Sequence, residues 1–207
     1  MTVIVDYGVG NLFSLKSSFG AIGEPVLVSA DKDEILNAER IVLPGVGAFG
    51  DAAKKLKDTE LDEVIKKAAA NGTPILGVCL GMQLLFDKSY EYGNFDGLKL
   101  IAGEIRPISD FILKDLKIPH IGWNKLRIKK EHPLLKYGTG NDYAYFVHSY
   151  CAVNCKENVI ADTDYGADIT AVVAKANVMG CQFHPEKSGT FGLNILKAFT
   201  EIKRGEL

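Results

Sequence analysis

Apolar and polar positions follow two rhythms along this chain of 207 residues, and the change of rhythm separates its halves. In the first half, short continuous apolar runs at 3–6, 26–29, 40–43 and 74–78 read as strands buried on both faces. Between them the period becomes helical. Leu12, Leu15, Ser18 and Phe19 share one face of a helix over 12–22, and Leu61, Val64, Ile65 and Ala68 mark an amphipathic helix that Gly72 and Pro74 end. A further helix-like run, 80–86, follows the fourth strand. Such alternation predicts a parallel sheet with helices on both faces. In the second half, 103–108, 124–128, 144–149, 169–174 and 179–183 read as strands with few helices between them, so some must be antiparallel or lie at an edge. Phe191, Ile195, Phe199 and Ile202 form the apolar stripe of a closing helix. With no internal repeat, linker or low-complexity tract, the expectation is one α/β domain over 1–207: a central, mostly parallel sheet, helices on both faces and an antiparallel extension.

Composition narrows the class. Hydrophobic residues make up 47% of the chain, enough for a core without disulfides, and the four cysteines (79, 151, 155 and 181) form no dense framework. A reducing compartment, the cytoplasm, is expected. The net charge of -2 and the lack of a basic tract argue against a nucleic-acid partner. No apolar run approaches a membrane span, and Thr2-Val3-Ile4-Val5-Asp6 reads as a strand rather than a leader. Histidines 120, 132, 148 and 184 fall in no His-Glu-x-x-His pattern and no paired Cys-x-x-Cys is present, so no metal site is expected.

The chemistry concentrates in two places. Gly77-Val78-Cys79-Leu80-Gly81 sits where a strand gives way to a helix, the arrangement by which α/β proteins expose a nucleophile on a sharp turn. At a helix N-terminus the thiol meets unpaired amides that favour its thiolate. A hundred residues later, His184-Pro185-Glu186 supplies a base and a carboxylate; in an extended segment i and i+2 point the same way, so Glu186 can reach the imidazole. Thiolate, proton carrier and orienting carboxylate make a triad for acyl transfer. Two loops beyond strand ends bear on it. Gly45-Val46-Gly47 has glycines on both sides of Val46 that free its amides to face an oxyanion, with the Leu80 amide as the other donor. Gly8-Val9-Gly10 lacks the third glycine of a dinucleotide fingerprint, having Phe13 there, and supports no nucleotide site. Cys151, Cys155 and Cys181 read as buried or inert thiols. Acyl transfer of this kind needs no organic cofactor.

These motifs resemble the triad-type, class I glutamine amidotransferases. Gly-Val-Cys-Leu-Gly-Met-Gln at 77–83 and Phe-His-Pro-Glu-Lys-Ser at 183–188 carry the likeness. Asp-Tyr-Gly-Val-Gly-Asn-Leu at 6–12, Leu-Pro-Gly-Val-Gly-Ala-Phe at 43–49, Pro-His-Ile-Gly-Trp-Asn at 119–124 and Tyr-Phe-Val-His-Ser-Tyr at 145–150 narrow it to the glutaminase subunits of imidazole glycerol phosphate synthases. The resemblance implies a three-layer amidotransferase domain that hydrolyses glutamine through a thioester on Cys79. Its ammonia would pass to a (β/α)8-barrel cyclase subunit in a heterodimer, for histidine biosynthesis. It further implies that Gln83, Ser149 and Tyr150 hold glutamine and that Asn11, Trp123, Tyr143 and Lys187 lie near the subunit interface. A paralogous glutaminase feeding a sugar-amidating enzyme of surface polysaccharide synthesis would share the triad.

Overall fold

The computed structural model describes residues 1–112 and 115–206. The chain runs β1 (Thr2–Val5), α1 (Leu12–Ala21), β2 (Val26–Ser29), α2 (Lys32–Leu36), β3 (Arg40–Leu43), α3 (Phe49–Asp58), α4 (Leu61–Ala70), β4 (Ile75–Val78) and α5 (Leu80–Leu84). It continues through β5 (Phe86–Ser89), β6 (Phe95–Asp96), β7 (Ile101–Pro107), β8 (His120–Ile128) and β9 (Tyr143–His148). The last elements are β10 (Tyr150–Val153), β11 (Val159–Asp164), β12 (Asp168–Lys175), β13 (Val178–Cys181) and α6 (Gly189–Thr200).

Nine strands form one sheet in the order β2-β1-β3-β4-β13-β12-β11-β8-β9. Its first five strands are parallel, and every pairing from β13 outward is antiparallel. The parallel sheet and its antiparallel extension are thus those expected from the hydrophobic pattern. A second sheet, β10-β7-β5-β6, was only partly legible, since β7 alone of its strands was expected, over 103–108. α2 and α3 also lie outside the sequence-based expectation, and the helix expected over 80–86 stops at Leu84, with β5 beginning at Phe86.

Two-residue alternation in the parallel strands builds the two helix layers. Val3, Val5, Ile41 and Leu43 pack with Ile35, Phe49, Leu56, Leu61 and Ile65 from α2, α3 and α4. On the opposite face Ile4, Val42 and Leu76 pack with Leu15 and Phe19 of α1 and with Ile195 and Phe199 of α6. Parallel pairing of β4 with β13, Gly77 opposite Gly180 and Val78 opposite Cys181, brings the two chemically informative segments alongside one another. No helix among the described residues is long and apolar enough to cross a membrane.

Candidate active site

Cys79 occupies the one residue between β4 and α5, with φ 54° and ψ −110°. A side chain in that conformation carries strain of about 1–3 kcal/mol, and such strain gathers at functional turns. The flanking glycines are required by contact. A Cβ on Gly81 would stand 1.9 Å from the Leu43 carbonyl oxygen, and one on Gly77 would stand 2.6 Å from the Gly81 carbonyl oxygen. The Cys79 amide donates to the Cys181 carbonyl (2.8 Å), which ties the turn to β13. Because α5 has only five residues, little helix dipole acts on the thiol.

His184 follows β13 and is held from three sides. Its amide donates to the Tyr145 carbonyl at 3.0 Å, and its carbonyl accepts from the Ser188 hydroxyl at 2.7 Å. Ser188 Oγ in turn accepts from the Tyr145 amide at 2.9 Å. The imidazole Nδ1 lies 2.8 Å from Glu186 Oε1. The route to that contact differs from the extended one expected: Pro185–Lys187 is a 3-10 turn, and with Pro185 at its start Glu186 turns back toward Nδ1. The other carboxylate oxygen, Oε2, is buried and has no hydrogen-bond partner among the described residues, so the imidazole is the polar group that Glu186 engages. Burial disfavours protonated His184, but hydrogen bonding and attraction to Cys79 and Glu186 outweigh it and raise the imidazole to about 10. The ring is thus set between a sulfur and a carboxylate, both of which favour its protonated form.

The other cysteines are chemically quiet. Burial pushes the Cys151 thiol up to about 12 and that of Cys155 to about 11, and burial with the nearby charges of Glu186 and Cys79 pushes Cys181 well up.

The loop after β3 reaches the same turn. A Cβ on Gly45 would fall 2.7 Å from the Gly81 amide nitrogen and 2.9 Å from Leu80 Cβ, so Gly45 is a close-packing glycine. Gly47 has φ +95° and nothing within 4 Å of a Cβ, so the backbone conformation and not close packing favours glycine there. Between them Val46 is exposed. Beneath the loop, buried Tyr7 donates its hydroxyl to the Pro44 carbonyl at 2.7 Å. Burial, then the charge of Cys79, raises its phenol, which stays protonated and a donor.

Gln83 lies one turn beyond Cys79 and is buried. Its Nε2 donates to the Tyr150 carbonyl (3.2 Å) and to Gln182 Oε1 (3.0 Å), while Gln182 Nε2 lies 3.8 Å from Cys79 Sγ. Ser149 and Tyr150 sit at the β9–β10 junction, with the Tyr150 carbonyl also accepting from His148 Nδ1 at 2.8 Å. Cys79, Leu80, Gln83, Gly45, His184, Glu186 and Tyr150 therefore converge on one site. Tyr7, His148, Gln182 and Ser188 belong to it and were missed. All four lie within or beside the motif segments, Tyr7 in 6–12, His148 in 145–150 and Gln182 and Ser188 around His184, but nothing local marked them out within those runs.

Asn11, Trp123, Tyr143 and Lys187 are not lining residues. Asn11 caps α1 through its side chain, accepting from the Ser14 amide at 3.3 Å. Trp123 and Tyr143 are exposed on neighbouring strands, and Trp123 lies 4.7 Å, ring to ring, from Tyr145. Lys187 Nζ is 5.7 Å from the Tyr145 ring centre. Tyr145 is the residue whose carbonyl accepts from the His184 amide, so this surface adjoins the backbone that carries the imidazole.

Comparison with known proteins agrees with the geometry. Residues 3–202 match the sequence model of the family described as glutamine amidotransferase class-I. A Lactococcus lactis subsp. lactis (strain IL1403) protein named imidazole glycerol phosphate synthase subunit HisH is 50% identical over 200 residues, covering 96% of this chain and 97% of that protein. The Bacillus subtilis (strain 168) protein of the same name is 46% identical over 205 residues, covering 98% and 96% respectively. Among solved structures, one described as a glutamine amidotransferase superposes with a TM-score of 0.75 at 18% identity, over 96% of this chain and 97% of that one. PurLQS from Thermotoga maritima gives 0.72 at 18% identity, over 96% of each chain. These two structures bear on the fold alone. The chain belongs to the class-I glutamine amidotransferase family.

Proposed function

We propose that this class-I glutamine amidotransferase is the glutaminase subunit of an imidazole glycerol phosphate synthase, releasing ammonia from glutamine for histidine biosynthesis. Relatives of that name, about half identical over nearly the whole length of both chains, support this reading above one with a sugar-amidating partner. The observation that carries the chemistry is the buried Cys79–His184–Glu186 arrangement, with the strained cysteine beside an imidazole that Glu186 holds at 2.8 Å.

Cys79 Sγ attacks the side-chain amide carbon of glutamine, and the electron pair of the C=O bond moves onto oxygen. The Leu80 amide and an amide of the Gly45-Val46-Gly47 loop stabilise that oxyanion. When the intermediate collapses, the C–N bond breaks and His184 delivers a proton to the departing ammonia, leaving a glutamyl thioester. Water then attacks the thioester with His184 as base; glutamate leaves and Sγ regains its electron pair. Glu186 keeps the imidazole oriented and compensates its charge throughout. Gln83, Ser149 and Tyr150 hold the amino-acid end of the substrate.

The partner is a (β/α)8-barrel cyclase subunit. Its docking face is the exposed surface of Trp123 and Tyr143, with Lys187 and the Asn11 turn beside it. Exposed aromatic side chains next to a lysine suit a mixed apolar and polar interface. A cytoplasmic location fits four cysteines that are all unpaired. The deciding experiment is co-purification of the partner, followed by glutamine-dependent formation of imidazole glycerol phosphate by the complex. A complex that makes no such product from glutamine, or a partner that amidates a sugar, would overturn the reading.

A further inference from the structure

Gln182 is fully buried, although burying an amide side chain is unfavourable unless its polar atoms are paired. It is brought beside Cys79 by the β4–β13 register, in which Cys181 stands opposite Val78. The orientation of its amide follows from a backbone group. Tyr150 offers a carbonyl, an acceptor only, at 3.2 Å from one end of the Gln83 amide, so that end must be the NH2. The same NH2 faces Gln182 at 3.0 Å, so Gln182 must turn its oxygen there. Its own NH2 is then left facing Cys79 Sγ, at 3.8 Å. One carbonyl thereby sets two amides in series, and the Gln83 oxygen becomes the end free to meet a donor on a ligand.

We propose that Gln182 is a positioning residue for the glutaminase reaction, holding the Gln83 oxygen ready for an N–H donor of the substrate while presenting an N–H to the Cys79 sulfur. This rests on the assignment of Cys79 as nucleophile and Gln83 as a substrate contact. The two halves of the role are separable. A neutral N–H toward sulfur favours thiolate over thiol, which governs reactivity. The oxygen toward Gln83 is a second acceptor for the NH2 that the Tyr150 carbonyl orients, and it steadies the Gln83 side chain that the substrate meets, which governs binding.

Two variants test it. Gln182→Glu keeps an acceptor for Gln83 but turns an oxygen toward the sulfur; Gln182→Met removes both contacts at similar volume. In the partner complex, Gln182→Glu is expected to keep KM for glutamine within about threefold while kcat falls at least about tenfold, the equivalent of one lost hydrogen bond. Iodoacetamide should alkylate its Cys79 at least about tenfold more slowly at neutral pH, read by mass spectrometry. Gln182→Met should show slower alkylation and a KM raised about tenfold. Complex formation with the partner serves as the check on folding. Wild-type alkylation of Gln182→Glu, or wild-type KM of Gln182→Met, would overturn the proposal. So would equal losses in every quantity for both variants, which would mean a packing role. Alkylation needs neither glutamine nor partner, so these outcomes are distinguishable from failure of the proposed function.

Discussion

His184 and Glu186 are separated by a single residue, yet they close a 2.8 Å contact because the chain turns through a 3-10 helix between them. Glu186→Gln keeps a carbonyl that can accept from Nδ1 but removes the charge. It should lower kcat by about a hundredfold or more, no further than His184→Ala, which removes the proton carrier itself. The measurement is glutamate release by the partner complex. A Glu186→Gln complex with wild-type kcat would remove the carboxylate from the triad.

Cys79→Ala should reduce glutamine hydrolysis by at least about a thousandfold while leaving the partner complex assembled, because a thiol on a turn contributes little packing. With ammonia in excess at alkaline pH the complex with the proposed partner should still form product. Cys151, Cys155 and Cys181 all have thiols raised by burial, so iodoacetamide near neutral pH should label Cys79 alone. A label found on Cys151 in the wild-type chain, or a glutamyl adduct on Cys79→Ala, would sink the assignment.

The two buried histidines near the site should pull stability in opposite directions with pH. His184 is raised to about 10, so its contribution is fully present below the ordinary histidine value of 6.5 and is lost as pH rises through about 10. His148 is lowered to about 3, chiefly by burial and further by the charges of His120 and His184. Between pH 6.5 and about 3 the unfolded chain binds a proton at this position that the native one refuses, so stability falls as acid is added. His148→Asn keeps an N–H that can donate to the Tyr150 carbonyl but loses the 3.2 Å Nε2 contact to His120 and the ring beside Phe146, so it should be less stable at pH 7 yet show a flatter decline from pH 7 to pH 4. Urea unfolding at several pH values checks this. Parallel declines would show that His148 titrates normally.

The sequence made the parallel half of the fold legible because strands such as Ile75–Val78 are buried along their whole length and read as unbroken apolar runs. Cys79, His184 and Glu186 were legible for a different reason: glycines forced by contact and a proline that fixes a turn leave marks in the sequence. The strand β11, Val159–Asp164, carries Asp162 and Thr163 in buried positions, where Arg127 and Lys129 pair with Asp162 and Thr163 donates to the Lys125 carbonyl. Its polarity is compensated only by neighbours distant in sequence, so periodicity does not reveal it. Gln182 was missed on the same ground, since what sets it apart is a register 103 residues long in sequence, to Cys79.

Gly81 and Gly47 should differ in what they contribute to stability. Alanine at Gly81 places a Cβ 1.9 Å from a backbone oxygen with no side chain free to yield, so the loss should exceed the roughly 1–3 kcal/mol usual for overpacking. Alanine at Gly47 meets open space but retains a φ of +95°, and should destabilise by about 1–2 kcal/mol. Thermal unfolding of the two variants gives the comparison. A Gly81→Ala protein as stable as Gly47→Ala would mean that the turn relaxes and that contact does not explain the glycine.

Control of the reaction is expected to act through that same loop. Gly45 is fixed against Gly81 and Leu80, and Tyr7 holds the Pro44 carbonyl at 2.7 Å, so the segment before Val46 is anchored. The freedom lies at Val46 and Gly47, where the side chain is exposed and the backbone positive in φ. Ammonia released without an acceptor is wasted, and one missing oxyanion donor costs about 3 kcal/mol, or about a hundredfold in rate. The isolated chain should therefore bind glutamine and hydrolyse it slowly, with the Val46 amide turned away from the substrate carbonyl. Binding of the loaded partner should shift the population toward the arrangement in which that amide faces the oxyanion. Gly47→Pro fixes φ near −65°, opposite in sign to the native +95°, and removes an N–H from the loop. It should abolish most of the stimulation by partner and ligand while changing glutamine affinity by less than about threefold, because the Gln83 contacts lie elsewhere. Glutamate release with and without partner and ligand, set beside glutamine binding by calorimetry, decides the matter. Equal rates in all conditions for the wild-type chain would mean that the loop already stands in its active form and that partner binding governs something other than the oxyanion.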